Sequence, residues 1–436
     1  MAVIERLDRR ADLRRLHRLN PGRYPFLLQS TATANSLGRF DILFTCPAER
    51  IVAGHEPFLD ALDEDFGTAR RPVPETALPF TGGWFLYLGY ELAAEIETGL
   101  TLEADRLLPA AFAVRCRAAI VHDRVSGVQY LVVEPSAPLE RGQLDDDIDA
   151  SLALGDSTRA ACRPVVTEAP GSEFTDAVVR AKEYIAAGDI YQANLSRGWH
   201  VAINDCLTAD DLYAALCRAN PAPFAGIASW NGATIISSSP ERLLRLKNGE
   251  ASTRPIAGTR PRSHDEEIDA NLSTELFAHP KERAEHVMLI DLERNDLGRI
   301  CEPGTVTVDE MMVLESYAHV HHIVSNVRGT LRSDVTPGQA IAAVFPGGTI
   351  TGCPKVRCME IIDELEHEPR GAYTGSFGYL NLDGSMDLNI LIRTMVMRDN
   401  VVNLRAGSGI VADSEPDSEL AETRAKAKGM IKALPQ

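Results

Sequence analysis

The sequence predicts an α+β fold in which antiparallel sheets are flanked by helices. Two dipeptides, Asn231-Gly232 and Asp383-Gly384, each lie between apolar segments, and such dipeptides are the strongest short-range signal for a β-hairpin. A long helical pattern over residues 280–298 lies between these two hairpins. Because a hairpin joins antiparallel strands, the alternation of hairpins with long helices favours an α+β arrangement over a parallel βαβ fold.

Composition and charge limit the classes of function. The chain has 436 residues, of which 44% are hydrophobic and 24% charged, as is ordinary for a soluble globular protein. Its net charge of −18 argues against a nucleic-acid partner. No apolar segment is long enough to cross a membrane, and the eight cysteines contain no CxxC pair. We therefore expect a cytoplasmic protein with neither a nucleic-acid nor a membrane partner.

The first part of the chain is predicted to consist mainly of strands. Alternating apolar residues indicate strands at residues 24–29, 39–46, 84–88, 111–122 and 128–134. Regular periodicity then disappears in a segment rich in proline, alanine, serine and aspartate. We therefore expect an N-terminal region over residues 1–165, which ends in a linker at about 135–170, and a second region over residues 171–436.

The second region is predicted to alternate helices with strands. A helix over residues 175–187 is expected to end at Gly188, because glycine readily adopts the left-handed conformation that closes a helix. Strands are expected at residues 191–199 and, after the second hairpin turn, at residues 388–396. Arg393 would lie inside that last apolar strand, where an arginine needs a partner.

A glycine-rich loop precedes an amphipathic helix within residues 345–365. Gly347, Gly348 and Gly352 allow the backbone to approach a ligand, and Pro354 occupies the position expected of a first helical residue. A loop of this kind at a helix N-terminus favours an anion, although a tight turn before a well-capped helix explains the pattern equally well. The spacing to the next lysine excludes a Walker A loop.

Two helices carry pairs of glutamates three residues apart. Glu282 and Glu285 form the first pair, and Glu419 and Glu422 form the second, with Lys426 on the same face. Either pair alone is typical of a solvated helix surface. Together they predict a carboxylate site for Mg²⁺, which prefers one or two protein carboxylates and completes its shell with water and substrate oxygens.

Seven motifs occur along the chain in the order SSSPERLL, RPIAGTRPR, KERAEHVMLIDLERNDLGR, HHIVSNVRG, FPGGTITGCPKVRCMEIIDELE, AGSGIVADSEP and ELAETRAKA. In this order they resemble the chorismate-utilising enzymes, a family that includes anthranilate synthase component I, aminodeoxychorismate synthase component I, isochorismate synthase and salicylate synthase. The resemblance is dense from about Phe174 to the C-terminus. It implies a two-subdomain sandwich of large antiparallel sheets flanked by helices, and a Mg²⁺-dependent site for chorismate.

The resemblance also implies roles for individual residues. Glu285 and Glu422 would bind Mg²⁺ directly, and Glu282 and Glu419 would bind it directly or through water. The residues that would bind chorismate are Tyr373, Arg393, Gly407, Gly409, Lys426, Gly258, Thr259 and Gly348. His322 and Thr349 would line the ring, and Glu241 would be the general acid at the departing hydroxyl group. These residue types suit the chemistry. The planar guanidinium group of arginine can donate two hydrogen bonds to one carboxylate, and a buried glutamate can retain a proton near neutral pH.

Two further positions concern the nucleophile. Family members that activate water have a lysine where this chain has Gln192, and glutamine is not a base, so the resemblance implies that ammonia attacks. Many aminodeoxychorismate synthases have a lysine where this chain has Ala257, whereas anthranilate synthases have alanine. Without a lysine there, ammonia itself would attack ring carbon 2, and in an aminodeoxychorismate synthase a second ammonia would add at ring carbon 4.

The local motifs favour one branch of the family. GDIYQANLS and FPGGTITG resemble aminodeoxychorismate synthase component I, of a subclass that lacks the lysine. That resemblance predicts Mg²⁺-dependent formation of 4-amino-4-deoxychorismate for p-aminobenzoate and folate synthesis, with ammonia from a separate glutamine amidotransferase subunit. The alternative is anthranilate synthase component I. A third possibility is a non-catalytic tryptophan sensor, whose pocket would include Ser30, Pro223 and Phe224.

Overall fold

The computed structural model describes residues 2–32, 38–54, 56–155, 163–203, 207–263, 265–278, 280–316 and 320–435, except for the side chains of residues 259, 261, 266, 280–282 and 320. The strands are β1 Val3–Arg6, β2 Phe26–Gln29, β3 Phe40–Val52, β4 Gly83–Leu88, β5 Ala111–Asp123, β6 Val128–Val133, β7 Val165–Glu168, β8 Gln192–Ala202, β9 Phe224–Trp230, β10 Ala233–Ser239, β11 Arg242–Lys247, β12 Glu250–Arg254, β13 Ile256–Pro261, β14 Thr307–Ser316, β15 Val320–Thr330, β16 Gly352–Cys353, β17 Ser376–Asn381, β18 Met386–Asn389, β19 Thr394–Arg398 and β20 Val401–Ile410.

The helices lie between these strands, except for the last one, which follows β20. They are α1 Leu13–Leu19, α2 Phe58–Ala69, α3 Ala93–Ile96, α4 Arg141–Ala153, α5 Gly171–Ala187, α6 Ala209–Ala219, α7 Glu266–Ala278, α8 Pro280–Gly298, α9 Pro337–Val344, α10 Lys355–Leu365 and α11 Pro416–Ala433, with 3-10 helices at Tyr90–Leu92 and Gly348–Ile350. None of the helices in the described ranges combines the length and the apolar composition needed to cross a bilayer.

All described strand pairs are antiparallel, and the strands form two connected arms. One arm runs in the order β5, β3, β2, β9, β10, β19, β20, β8, and the other runs β5, β4, β17, β18, β11, β12, β15. Both arms therefore share the long strand β5. Helices α8, α10 and α11 pack on β15, β8 and β20 respectively. The predicted α+β class, with a large antiparallel sheet flanked by helices, is confirmed.

The N-terminal region contributes strands to the same arms as the rest of the chain. β2 pairs with β9, and β4 pairs with β17. Helix α4 lies within the segment that was expected to be a linker. The composition therefore changes at residues 135–170, but strands that precede this segment pair with strands that follow it.

Two local predictions differ from the structure. Pro354 is the N-cap of α10 and not its first residue, because its ψ of 141° is extended and not helical. Arg393 does not lie in a strand, since residues 390–393 interrupt the predicted strand between β18 and β19. At this break Arg393 has a φ of +54°, which lies outside the β region of backbone conformation.

Candidate functional site

Glu241 lies in the short connection between β10 and β11, and it is buried. The Thr349 hydroxyl donates a hydrogen bond of 2.9 Å to Glu241 Oε1, and the Ile256 amide donates to the same oxygen at 3.4 Å. Burial raises the pKa of Glu241 to about 7, although these hydrogen bonds and the Lys426 charge oppose the shift. A carboxyl group that is half protonated near neutral pH is suited to donate a proton.

The glycines of residues 347–352 bring the loop backbone close to its neighbours. A Cβ atom at Gly348 would lie 3.2 Å from Leu292 Cβ. At Gly352, where φ is +137°, it would lie 2.1 Å from the Gln192 carbonyl oxygen. The 3-10 helix that carries Thr349 therefore packs closely on α8 at Gly348, while the contact of Gly352 with β8 leaves no room for a side chain.

Ala257, Gly258 and Thr259 lie on β13 beside His322 of β15. The register of the two strands shifts between Ala257 and Thr259, and Gly258 adopts a φ of +69° at this bulge. Burial lowers the pKa of His322 to about 4, with a smaller contribution from the Arg393 charge, while a hydrogen bond to the Gly258 backbone opposes the shift. His322 is therefore neutral near pH 7. The side chain of Thr259 lies outside the described residues.

Gly407 and Gly409 of β20 lie against three polar side chains. A Cβ atom at Gly407 would lie 2.6 Å from the Tyr373 hydroxyl oxygen and 2.7 Å from Asn194 Oδ1, and one at Gly409 would lie 2.5 Å from Gln192 Nε2. Asn194, which the sequence reasoning missed, is two residues from Gln192 on β8 and so shares its face of the strand. In the described part of the chain, Gln192 Oε1 and Asn194 Oδ1 are buried without a hydrogen-bond partner.

Gly407→Ala is expected to destabilise the protein by about 1–3 kcal/mol, the usual cost of overpacking. The KM for chorismate should rise as well, because the new methyl group would displace the tyrosine hydroxyl and the asparagine. Urea unfolding and steady-state kinetics measure the two effects. Gly99→Ala is the control, since a Cβ atom there would meet no atom within 4 Å. Identical unfolding midpoints for the two variants would contradict the prediction.

Arg393 and Lys426 supply positive charge beside these glycines. Arg393 Nη1 donates to the Lys426 carbonyl oxygen at 2.8 Å. Lys426 Nζ lies 3.1 Å from the Gly407 carbonyl oxygen and 2.7 Å from Glu422 Oε1. Burial lowers the pKa of Arg393, and Tyr373 and Glu422 oppose this, but a guanidinium stays charged at neutral pH. Two adjacent cations suit a ligand that carries carboxylates.

Glu419 and Glu422 lie about one turn apart on α11, and both interact with Ser408. The Ser408 hydroxyl donates a hydrogen bond to Glu419 Oε2. Partial burial acts to raise the pKa of Glu422, but the Lys426 charge and hydrogen bonds from Lys426 and Ser408 outweigh it and lower the pKa. Glu422 is therefore held as a carboxylate, the form in which glutamate binds a metal ion.

The other two predicted metal ligands lie on α8. Glu285 is partly buried, and the side chain of Glu282 lies outside the described residues. Within the described ranges, no three histidine, cysteine, aspartate or glutamate side chains form a group that could hold a metal ion. The two carboxylates of α11 still fit Mg²⁺, because this ion takes few protein ligands and completes its shell with water and substrate. Magnesium binding stays a prediction.

The sequence reasoning also missed a second buried acid, Glu293 of α8. Its Oε1 lies 3.7 Å from the position that a Cβ atom would occupy at Gly348. Burial, with the neighbouring Asp296, raises the pKa of Glu293 to about 8. Glu293 and Asp296 repeat the three-residue spacing of the glutamate pairs, and this spacing was the signal that could have identified them.

The structure brings together the residues of the predicted tryptophan pocket. Ser30 follows β2, while Pro223 and Phe224 lie at the start of β9, which pairs with β2. The Thr31 amide donates to the Ala222 carbonyl oxygen at 2.9 Å and joins the two segments. Ser30 Oγ is buried and has no hydrogen-bond partner in the described ranges. Tryptophan binding stays a prediction.

Comparison with known proteins places this geometry in a family. A family model described as chorismate binding enzyme matches residues 23–432. Anthranilate synthase component 1 of Streptomyces coelicolor is 39% identical over 95% of this chain and 84% of its own length. The protein of the same name from Thermus thermophilus is 42% identical over 90% of this chain and 86% of its own length.

Solved structures agree with the sequence relatives. Anthranilate synthase component I from Streptococcus pneumoniae superposes with a TM-score of 0.78 and 31% identity, over 91% of this chain and 93% of that one. The menaquinone-specific isochorismate synthase from Escherichia coli has a TM-score of 0.76 at 18% identity, over 100% of this chain and 94% of that one, and so shares the fold.

The relatives from Streptomyces coelicolor, Thermus thermophilus and Streptococcus pneumoniae contradict the prediction of an aminodeoxychorismate synthase, since all three carry the name of the alternative. Of the two motifs that favoured the prediction, GDIYQANLS leads into β8, and FPGGTITG ends at Gly352 of β16, which pairs with β8. Ala257 pointed to the other branch and was the better guide. With its family model matched over residues 23–432, the chain belongs to the chorismate-binding enzymes.

Proposed function

We propose that this protein is an anthranilate synthase component I, which converts chorismate and ammonia into anthranilate, pyruvate and water. The observation that carries the proposal is the 39% identity to anthranilate synthase component 1 of Streptomyces coelicolor over 95% of the chain. Two features of the site support it. A buried acid is present for the departing hydroxyl group, and two cations are present for the two carboxylates of chorismate.

Chorismate would bind beside β20. Arg393 and Lys426 would each neutralise a carboxylate, and the Tyr373 hydroxyl would donate a hydrogen bond. Burial raises the pKa of Tyr373 to about 12, so this hydroxyl keeps its proton at neutral pH. Gly407 and Gly409 leave the space that these groups and the substrate need.

The chemistry then requires one acid and one nucleophile. Glu241 would protonate the leaving hydroxyl at ring carbon 4 while ammonia adds at ring carbon 2. Loss of the ring proton at carbon 2 and of the enolpyruvyl group as pyruvate would complete the aromatic ring. Gln192 is neutral and cannot remove a proton from water, so the site favours ammonia, which is a good nucleophile without prior loss of a proton.

Magnesium would be held by Glu422 and Glu419, with Glu285 and Glu282 from α8. When bound, the ion would supply positive charge to a substrate carboxylate, in addition to that of Arg393 and Lys426. The carboxylates of α11 are held in place for this role by Ser408 and Lys426.

A separate glutamine amidotransferase is the proposed source of ammonia. The name component 1 of the relatives suggests a second component. A glutaminase needs a reactive thiolate, and burial raises the pKa of each described cysteine: Cys46, Cys116, Cys217, Cys301, Cys353 and Cys358. None of these six thiols is suited to that chemistry.

The product identifies the function. Purified protein with chorismate, Mg²⁺ and an ammonium salt is expected to give anthranilate and pyruvate in equal amounts, measured by mass spectrometry and anthranilate fluorescence. Glutamine in place of the ammonium salt should give no product without the partner subunit. Formation of 4-amino-4-deoxychorismate, which yields p-aminobenzoate only after a lyase is added, would overturn the proposal.

A further inference from the structure

Lys355, the lysine whose position excluded a Walker A loop, closes the base of the glycine loop. It is the first residue of α10, and its Nζ donates to Asp296 Oδ2 of α8 at 2.6 Å and to the Val344 carbonyl oxygen at 3.3 Å. Val344 ends α9 immediately before the loop, and Lys355 begins the helix immediately after it. One ammonium group therefore ties both ends of residues 345–354 to the same helix.

The loop closed in this way carries Thr349, whose hydroxyl donates to Glu241. We propose that the Lys355–Asp296 ion pair is a positioning device that fixes Thr349 against the general acid Glu241. The proposal rests on the proposed function, because it assumes the acid role of Glu241. It assigns to both residues an effect on the reaction without contact with the substrate.

Burial makes this ion pair a strong constraint. The side chains of Lys355 and Asp296 are only 14% and 7% exposed. Removing one partner leaves the other as an uncompensated buried charge, whereas removing both avoids that cost. Stability and positioning can therefore be separated, because a double replacement restores the charge balance without restoring the connection.

The charged groups around the Lys355–Asp296 pair determine how the pKa of Asp296 changes when Lys355 is removed. Glu293 lies on the same helix beside Asp296 and Lys355, and Arg299 contributes a further positive charge to Asp296. Burial raises the pKa of Asp296, and the ammonium of Lys355 opposes this and favours the carboxylate. Loss of Lys355 alone should therefore raise the pKa of Asp296 further and leave this buried carboxyl group without its compensating charge.

The test compares Lys355→Met, Asp296→Leu and the double variant. Both single variants should unfold at lower denaturant concentration, and the double variant should recover most of the stability. The kcat of the double variant should nevertheless stay at least about tenfold below that of the wild-type protein, because the contacts that hold both ends of the loop to α8 are still absent. If the double variant Lys355→Met, Asp296→Leu does not fold, the double variant Lys355→Gln, Asp296→Asn provides a neutral, polar replacement for the same comparison.

A pH profile tests whether the Lys355–Asp296 pair affects the reaction through Thr349. The Thr349 hydrogen bond lowers the pKa of Glu241, so its loss should move the alkaline limb of kcat/KM to higher pH. Lys426 and Glu293, the other charged groups that act on Glu241, are not substituted in this experiment. Asp296 raises the pKa of Glu293 and Lys355 lowers it, so the loss of both residues together removes two opposing effects on Glu293. The double variant should show the same displacement as Thr349→Val, and adding Thr349→Val to it should cause no further loss.

Two outcomes would overturn the positioning role. One is a double variant whose kcat recovers together with its stability, which would make the ion pair purely structural. The other is an additive effect of Thr349→Val, which would mean that the pair does not act through Thr349. Both outcomes are measured as ratios of a variant to the wild-type protein, so they can be interpreted whichever product the wild-type protein forms. A failure of the proposed function would appear instead in the identity of that product.

Discussion

Glu241→Gln is expected to lower kcat by about 10²–10⁴-fold, the usual contribution of a general acid. Glutamine keeps the shape of the side chain and can still accept the Thr349 hydrogen bond, but it has no proton to donate to the leaving hydroxyl. Chorismate affinity, measured by equilibrium binding, should change little. A matched control is Glu302→Gln, which alters an exposed glutamate.

The pH dependence provides a second measure of the same residue. Glu241 must be protonated to act, and burial raises its pKa to about 7. The wild-type kcat/KM should therefore fall as the pH rises through about 7, and Glu241→Gln should lose this limb. A variant with less than a tenfold loss of kcat, or one that keeps the limb, would exclude Glu241 as the acid.

Glu422→Gln is expected to have the second large effect, on the response to Mg²⁺. Loss of an outer hydrogen-bond partner of a metal ligand typically costs about 10–100-fold in affinity or activity, so loss of a direct ligand should cost at least as much. The measurement is a Mg²⁺ titration of activity at saturating chorismate. The variant should need at least about tenfold more Mg²⁺ for half-maximal rate.

Two comparisons make the magnesium prediction specific. Asp417→Asn changes an exposed carboxylate in the first turn of the same helix and should leave the Mg²⁺ titration unchanged. Glu422 also pairs with Lys426, so the KM for chorismate must be measured in parallel. A normal Mg²⁺ requirement with a raised KM would assign Glu422 to the orientation of Lys426 and not to the metal.

The elements that depend on local signals could be predicted from the sequence. The Asn231-Gly232 turn and the closure of α5 by Gly188 are confirmed, because a dipeptide or a single left-handed glycine determines each of them. The break at Arg393 could not be predicted, since the apolar residues on both sides favour a continuous strand. Its φ of +54° becomes visible only in the structure.

The candidate site divides in the same way. Glu241 and Thr349 were identified by resemblance, and the structure adds the hydrogen bond between them. Asn194 was not predicted, because its importance comes from its contact with Gly407, far away in the sequence. Glu293 was not predicted although its spacing to Asp296 was visible, because its raised pKa depends on burial. The choice between two branches of the family failed because the motifs GDIYQANLS and FPGGTITG were given more weight than Ala257.

The pairing of β4 with β17 has a consequence for the synthesis of this protein. Trp84 lies opposite Leu380, so the two strands leave the ribosome far apart in time. Until β17 and β9 have been made, β4 and β2 each lack a neighbour and expose unpaired backbone groups. Contacts between such distant residues form slowly, and an exposed strand edge can pair with another chain. The first third of the nascent chain is therefore exposed to aggregation until these later strands have been made.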